Sequence, residues 1–325
     1  MIIVTGGAGF IGSALIAELN RRQISDILVV DELGTDQKWK NLRNLSFADY
    51  VEKDDFLEMV IEDKLDSPVE VVFHLGACSD TTETNASYLV KNNYEYSKLL
   101  AQWATDADIR FIYASSAATY GDGSAGFSDD EDKIEVLRPL NMYGYSKHLF
   151  DMWARRAGLL SKIVGLKYFN VFGPNEYHKS EMMSFVVKAF EQIKTTGKVR
   201  LFKSYQPEYA DGEQVRDFLY VKDAVNMTLF FFDNPYINGI FNIGTGETRT
   251  WNDLVIAVFM GMVRKPSIEY IEMPSSIRNQ YQYFTQADLS KLRRAGYSKQ
   301  TTPLEDAIRD YIQNYLENGL YLAGT

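Results

Sequence analysis

The chain has 325 residues, with 34 Lys and Arg against 44 Asp and Glu, a formal net charge of −10 and one cysteine; that length predicts two lobes rather than one small core. Hydrophobic residues at 46% and charged residues at 24% exclude a disordered or fibrous chain, and a net negative charge without clustered Lys and Arg excludes a nucleic-acid partner. No apolar run reaches transmembrane length, no basic leader follows Met1, and Cys78 has no second cysteine to pair with, so a cytoplasmic protein without membrane insertion is expected.

Taken in chain order, Ile2 to Val4 reads as a first buried strand. Gly6-Gly7-Ala8-Gly9-Phe10-Ile11-Gly12 follows it at once and opens a helix whose apolar spacing runs from Ser13 to Asn20. Gly6 permits a tight turn, Gly9 a close approach of backbone to a pyrophosphate, and Gly12 the packing of helix on strand. A lone glycine pattern also marks an ordinary strand-to-helix turn. Here a second strand, Ile27 to Val30, ends in Asp31, 19 residues beyond Gly12, where a carboxylate can bind an adenosine ribose. The pair predicts a nicotinamide dinucleotide site. Asp31 favours NAD, whereas Lys38 and Lys40 can neutralise a 2′-phosphate, so charge alone leaves NAD and NADP open.

Val69 to His74 reads as a third strand, followed by the small residues of Leu75-Gly76-Ala77-Cys78-Ser79 on which a cofactor can lie. Cys78 is read as a packing residue. Asn93 to Ala104 carries helical spacing, Arg110 to Ala114 a strand, Gly121 to Asp132 a surface loop, and Ile163 to Tyr168 a further strand. This alternation predicts an α/β fold, a Rossmann doubly wound parallel sheet over residues 1–169. After Asn170 the rhythm changes, and a smaller mixed α/β substrate-binding lobe is expected over residues 170–325. Val215 to Val221 and Gly239 to Gly246 read as strands that return to the first sheet.

Tyr143 and Lys147 stand four residues apart, one turn of helix, and Ser116 lies just beyond a strand end. A phenol titrates near pH 10 in isolation, but a neighbouring ammonium and a nicotinium ring both favour phenolate, so Tyr143 is expected to act as a base with Ser116 bonded to the substrate oxygen. The histidines, His74, His148 and His178, have no metal-ligand spacing, and no metal site is predicted.

The glycine run, Ser115-Ser116, the Tyr143/Lys147 pair, Tyr168-Phe169-Asn170-Val171-Phe172-Gly173-Pro174 and Arg216-Asp217-Phe218 together resemble the extended short-chain dehydrogenase/reductases that act on nucleotide sugars. Within that group, Tyr113 to Gly121, His178-Lys179 and Tyr281 to Leu289 resemble the ADP-L-glycero-D-manno-heptose 6-epimerase family, which serves lipopolysaccharide core biosynthesis. The resemblance spans essentially the whole chain. It implies cofactor contacts at Phe10, Ile11, Asp31, Glu32, Lys38, Lys53, Leu75, Gly76, Ala77, Cys78, Ser79, Asn92, Lys147, Val171 and Lys179. Lys38 is then the counterweight to Asp31 and favours NADP. Implied substrate contacts are Asn170, Phe202, Lys203, Ser204, Tyr205, Arg216 and Tyr281, with Glu181 where the family has serine and Lys188 where it has histidine. The family also implies a homo-oligomer, pentameric by expectation.

The implied reaction oxidises C6 of the heptose transiently to a ketone and returns hydride to the opposite face. Inversion needs a second acid/base, for which Lys179 stands beside Tyr143, with Ser116 orienting the oxygen and Lys147 tuning the phenol. The rival enzyme reading is a UDP-hexose 4-epimerase. A non-catalytic dinucleotide sensor is a third, but such a sensor has no need of Ser116, Tyr143 and Lys147.

Overall fold

The computed structural model describes residues 1–65, 67–278 and 281–324, without the side chains of residues 276 and 277. Its centre is a parallel sheet of seven strands: β1 (Ile2–Thr5), β2 (Ile27–Asp31), β3 (Asp49–Glu52), β4 (Val71–His74), β5 (Arg110–Ser116), β6 (Val164–Tyr168) and a last strand, Gly239–Ile243. Across the sheet the order is last strand, β6, β5, β4, β1, β2, β3. Every residue of β1, β2, β4 and β6 is buried, because helices cover both faces. Alternation along β1 sends Ile2 and Val4 into one core and Ile3 into the other. The direction of strand order reverses between β1 and β4, and the crevice at their carboxyl ends is where such sheets bind ligands. Gly6 and Leu75 emerge there side by side, Leu75 donating its amide to the Thr5 carbonyl at 3.1 Å.

Two features depart from the sequence expectation. β3 was not anticipated, since Asp-Tyr-Val-Glu is a short polar edge with no buried residue. Val215 to Val221 is not one strand and does not join the central sheet. Val215–Arg216 pairs antiparallel with Arg249–Thr250, and Phe218–Tyr220 pairs parallel with Asn170–Phe172. The break falls at Asp217, whose buried carboxylate accepts the amides of Thr245 at 2.7 Å, Gly246 at 2.9 Å and Ala287 at 3.0 Å. Gly239–Ile243 does return to the sheet, beside β6.

The helix read over Asn93 to Ala104 is a π-helical segment, Val90–Glu95, running into a regular helix, Tyr96–Asp106. The C-terminal half adds a parallel strand pair, Val199–Phe202 with Ile268–Ile271, and helices Phe185–Thr196, Trp251–Gly261 and Leu304–Tyr311. Asn175 ties the halves together. This fully buried residue, at φ +78°, donates to Ser13 Oγ of the first helix (α1, Phe10–Arg21) at 2.9 Å and accepts the amide of Leu322 at 2.9 Å. Among the described residues no helix is long and apolar enough to cross a membrane.

Candidate active site

The glycine turn is shaped by contacts that exclude side chains. Gly6 sits at φ +67°, and a Cβ there would lie 2.6 Å from the backbone of Gly76; one on Gly12 would collide with the Gly6 carbonyl oxygen. Gly9 caps α1 without any side-chain hydrogen bond, so the first amides of the helix are left for an anion. A cavity of about 700 Å³ opens over this turn. Asp31 closes its far end: one oxygen accepts the Ala8 amide at 2.9 Å, and the other accepts the Glu32 amide at 2.8 Å and pairs with Lys38 Nζ at 2.9 Å. Lys38 also donates to the Glu32 carbonyl at 2.9 Å, whereas Lys40 turns away to Gln37. An adjoining cavity of about 330 Å³ holds Asp31, Glu32, Lys38, Lys53 and Asn92. A cradle this close to backbone, ending on a carboxylate with an ammonium laid on it, fits a dinucleotide.

The same cavity gathers the chemical groups. Ser116 ends β5 and accepts the Ala118 amide on its Oγ at 3.1 Å. Tyr143 and Lys147 project from the helix Met142–Arg156, which starts where the Asn141 side chain accepts the Gly144 amide at 2.7 Å. Lys147 is buried, donates to the Ala114 carbonyl at 2.9 Å, and is pushed down to about 8 by loss of solvent. Burial likewise pushes the Tyr143 phenol up, while its hydrogen bond with Ser116 pulls the other way. In the protein alone, desolvation therefore sets the direction, whereas the expectation for Tyr143 includes the positive ring of a bound cofactor. Lys179 reaches in from the Tyr177–Met182 turn, its ammonium 5.5 Å from the centre of the Phe10 ring. Burial lowers its pKa, opposed by the charge of Glu176. Leu75 to Ser79, Asn170 and Val171 complete the lining.

The remaining candidates stand elsewhere. Glu181 and Lys188 pair with each other at the surface, 3.6 Å apart, and do not line this cavity. Lys203 and Tyr205 both engage Glu272, and Ser204 Oγ donates to the Gln206 carbonyl at 2.9 Å. Phe202 and Tyr281 line a separate cavity of about 190 Å³. Arg216 is buried between the rings of Trp251 and Tyr281, 5.6 and 5.4 Å from their centres, and has no acidic partner among the described residues.

Sequence reasoning missed the groups that hold the site. Asn93 is fully buried; its side chain accepts the Cys78 amide and donates to the Cys78 carbonyl, both at 2.9 Å, and donates to Ser146 Oγ at 3.0 Å. It joins the cofactor wall to the helix carrying Tyr143 and Lys147, and the π-helical turn brings it there. Asp151 lies one turn beyond Lys147 and pairs with Lys167 at 3.0 Å, both out of solvent; Ser115 donates to it at 2.7 Å and Tyr113 at 3.0 Å. The four-residue step from Lys147 was the available signal. His74, expected at a strand end, is fully buried between Thr5 and Ser97 and is kept neutral, its pKa pushed down to about 3.

The sequence profile of the NAD dependent epimerase/dehydratase family matches residues 2–244, three quarters of the chain. The chain belongs to this family. Family membership and the cradle together make a nicotinamide dinucleotide the cofactor. The ADP-L-glycero-D-manno-heptose-6-epimerase of Nitratidesulfovibrio vulgaris is 55% identical over 97% of this chain and 98% of its own. Among solved structures, the Helicobacter pylori ADP-L-glycero-D-manno-heptose-6-epimerase superposes with a TM-score of 0.81 at 28% identity, covering 96% of this chain and 95% of that one. The Thermotoga maritima UDP-glucose 4-epimerase gives 0.76 at 26% identity, covering 98% and 99%.

Proposed function

We propose that the protein interconverts ADP-D-glycero-D-manno-heptose and ADP-L-glycero-D-manno-heptose by epimerisation at C6. The observation that carries this reading is 55% identity across nearly the whole of both chains to an epimerase of that name, against 26% to a UDP-glucose 4-epimerase. When bound, the nicotinamide supplies reversible oxidation, so the C6 alcohol passes through a 6-ketone without net redox change. Gly6, Gly9 and Gly12 admit the pyrophosphate, Asp31 receives the ribose, and Lys38 on Asp31 supports NADP because its ammonium can answer a 2′-phosphate.

Tyr143 and Lys179 are the two acid/base groups. They come from separate elements into one cavity, as inversion requires, since the oxygen changes place when the face of attack changes. A lowered pKa lets Lys179 exchange a proton closer to neutrality than an exposed lysine. Ser116 orients the oxygen, and Lys147 fixes the cofactor ribose beside Tyr143. Arg216, a buried cation without an acidic partner among the described residues, suits the sugar diphosphate. The same reading includes a homo-oligomer and a cytoplasmic location.

Purified protein supplied with ADP-heptose and with UDP-galactose tests it: epimerisation of the first and not the second is expected, and the reverse overturns the reading. Denatured protein should release mainly NADP. Tyr143→Phe should lower turnover about 10²- to 10⁴-fold, and Lys179→Met should retain dinucleotide and ADP-sugar binding yet lose interconversion in both directions. Unchanged epimerisation by Lys179→Met removes that residue from the chemistry.

A further inference from the structure

The cavity of about 190 Å³ in the C-terminal half is walled by Phe185, Phe202, Trp251 and Tyr281. Trp251 meets Phe185 edge-on at 5.4 Å, so the wall is fixed by aromatic packing. Leu201 and Arg200 complete the lining; Arg200 is exposed and pairs with Glu269 at 3.7 Å, so the buried polar side chain in the wall is Gln214. Gln214 is 1% exposed and lines the cavity, yet neither its Oε1 nor its Nε2 has a hydrogen-bond partner among the described residues. An amide buried in this way costs stability unless a ligand completes it, and both of its functions, one acceptor and two donors, are free. Its backbone is tied to the same wall, the Gln214 carbonyl accepting the Trp251 amide at 3.2 Å. Two residues on, the buried guanidinium of Arg216 donates to the carbonyls of Val215 at 2.8 Å and of Gln282 and has no acidic partner among the described residues. An aromatic slot with one free amide, beside a cation suited to phosphate, has the chemistry of a nucleobase site.

We propose that Gln214 is the residue that reads the base of the nucleotide sugar and selects adenine. The amide oxygen accepts the exocyclic N6–H of adenine while the amide nitrogen donates to an adjacent ring nitrogen, the two-point pattern by which Gln recognises this base. The aromatic rings hold the purine faces. On the N6/N7 edge so read, guanine presents two acceptors, O6 and N7, and leaves the amide oxygen without a donor. This assignment rests on the ADP-sugar reading above and deepens it by naming the specificity determinant.

The test uses holoenzyme saturated with dinucleotide, so that only the substrate site is free, and measures binding of ADP, UDP and purine riboside 5′-diphosphate, which lacks the N6 amine. Wild-type protein is expected to bind ADP roughly 10- to 100-fold more tightly than the des-amino analogue, the size of a two-point base contact. Gln214→Leu is expected to bind the two alike while melting no lower than the parent, because it removes an unpaired buried amide. Equal binding of the two purines by wild type, or retained discrimination by Gln214→Leu, overturns the Gln214 assignment. UDP binding more tightly than ADP in wild type overturns the ADP-sugar reading itself. If Gln214→Leu fails to fold, Gln214→Glu decides: its carboxylate still accepts from N6 but cannot donate, so des-amino discrimination should persist while overall ADP affinity falls, and undiminished affinity refutes the proposal.

Discussion

Lys147 carries its ammonium into a wall where the Ala114 carbonyl receives it and solvent does not. Its pKa in the folded protein, about 8, lies below the ordinary 10.5. The unfolded chain therefore binds the proton more tightly, and stability contributed at this position rises with pH between about 8 and 10.5. Below that window the buried charge costs roughly 3 kcal/mol relative to a neutral group. Protein stripped of dinucleotide should accordingly melt lower than its Lys147→Met variant at pH 7. The gap should narrow on going to pH 9.5; a gap that widens contradicts the burial argument. Tyr143 is pushed the other way by the same burial, so the fold alone holds the phenol protonated. On the proposed mechanism, the positive ring of a bound cofactor would supply the opposing pull toward phenolate.

Besides Lys147 on the Ala114 carbonyl, a buried ion pair holds the helix Met142–Arg156 against β5 and β6. Asp151 collects Lys167, Ser115 and Tyr113, and the Lys167 ammonium also donates to Thr119 Oγ1 at 2.6 Å. Removing one partner leaves a buried charge unanswered. Lys167→Met or Asp151→Asn is expected to cost about 3 to 5 kcal/mol in urea unfolding, and the double variant less than the sum of the two. Additive losses would show that the pair is not coupled. Ser115 precedes Ser116 and Asp151 follows Lys147 by one turn, so turnover should fall with stability in the single variants.

The elements differ in how much of them the sequence discloses. The glycine turn, Asp31 and the Tyr143/Lys147 pair are legible because their geometry is set by spacing along a single strand–turn–helix or a single helix. Asn93 and Gln214 are not, because their partners are brought by distant chain: Ser146 in one case, the walls from Phe185, Trp251 and Tyr281 in the other. Val215 to Val221 reads as one strand by composition. Its division at Asp217 depends on amides at Thr245, Gly246 and Ala287, which no local pattern announces. Glu181 and Lys188, carried over by resemblance, satisfy one another at the surface.

At the scale of the molecule, the two halves meet through small polar knots as well as through the core. Asn175 joins Ser13 on α1 to Leu322 near the C-terminus, and its carbonyl accepts Asn41 Nδ2 at 3.0 Å; Asn41 in turn donates to the Ala8 carbonyl of the glycine turn at 2.9 Å. Asn175→Ala removes the side-chain hydrogen bonds at φ +78°, a region Asn tolerates better than Ala, and should lower stability by roughly 3 kcal/mol. Thermal melting and the rate at which carboxypeptidase trims the chain check this, and an unaltered trimming rate would separate Asn175 from the tail. The knot also has a thermodynamic consequence. Because α1 borders the proposed pyrophosphate site and Asn175 links Ser13 of α1 to Leu322, dinucleotide binding and docking of the segment around Leu322 share a cycle. Whatever factor the docked tail adds to dinucleotide affinity, bound dinucleotide returns to the docking equilibrium of the tail. Where that factor exceeds one, occupancy of the cofactor site should be readable more than 300 residues away in sequence, as resistance of the segment around Leu322 to digestion.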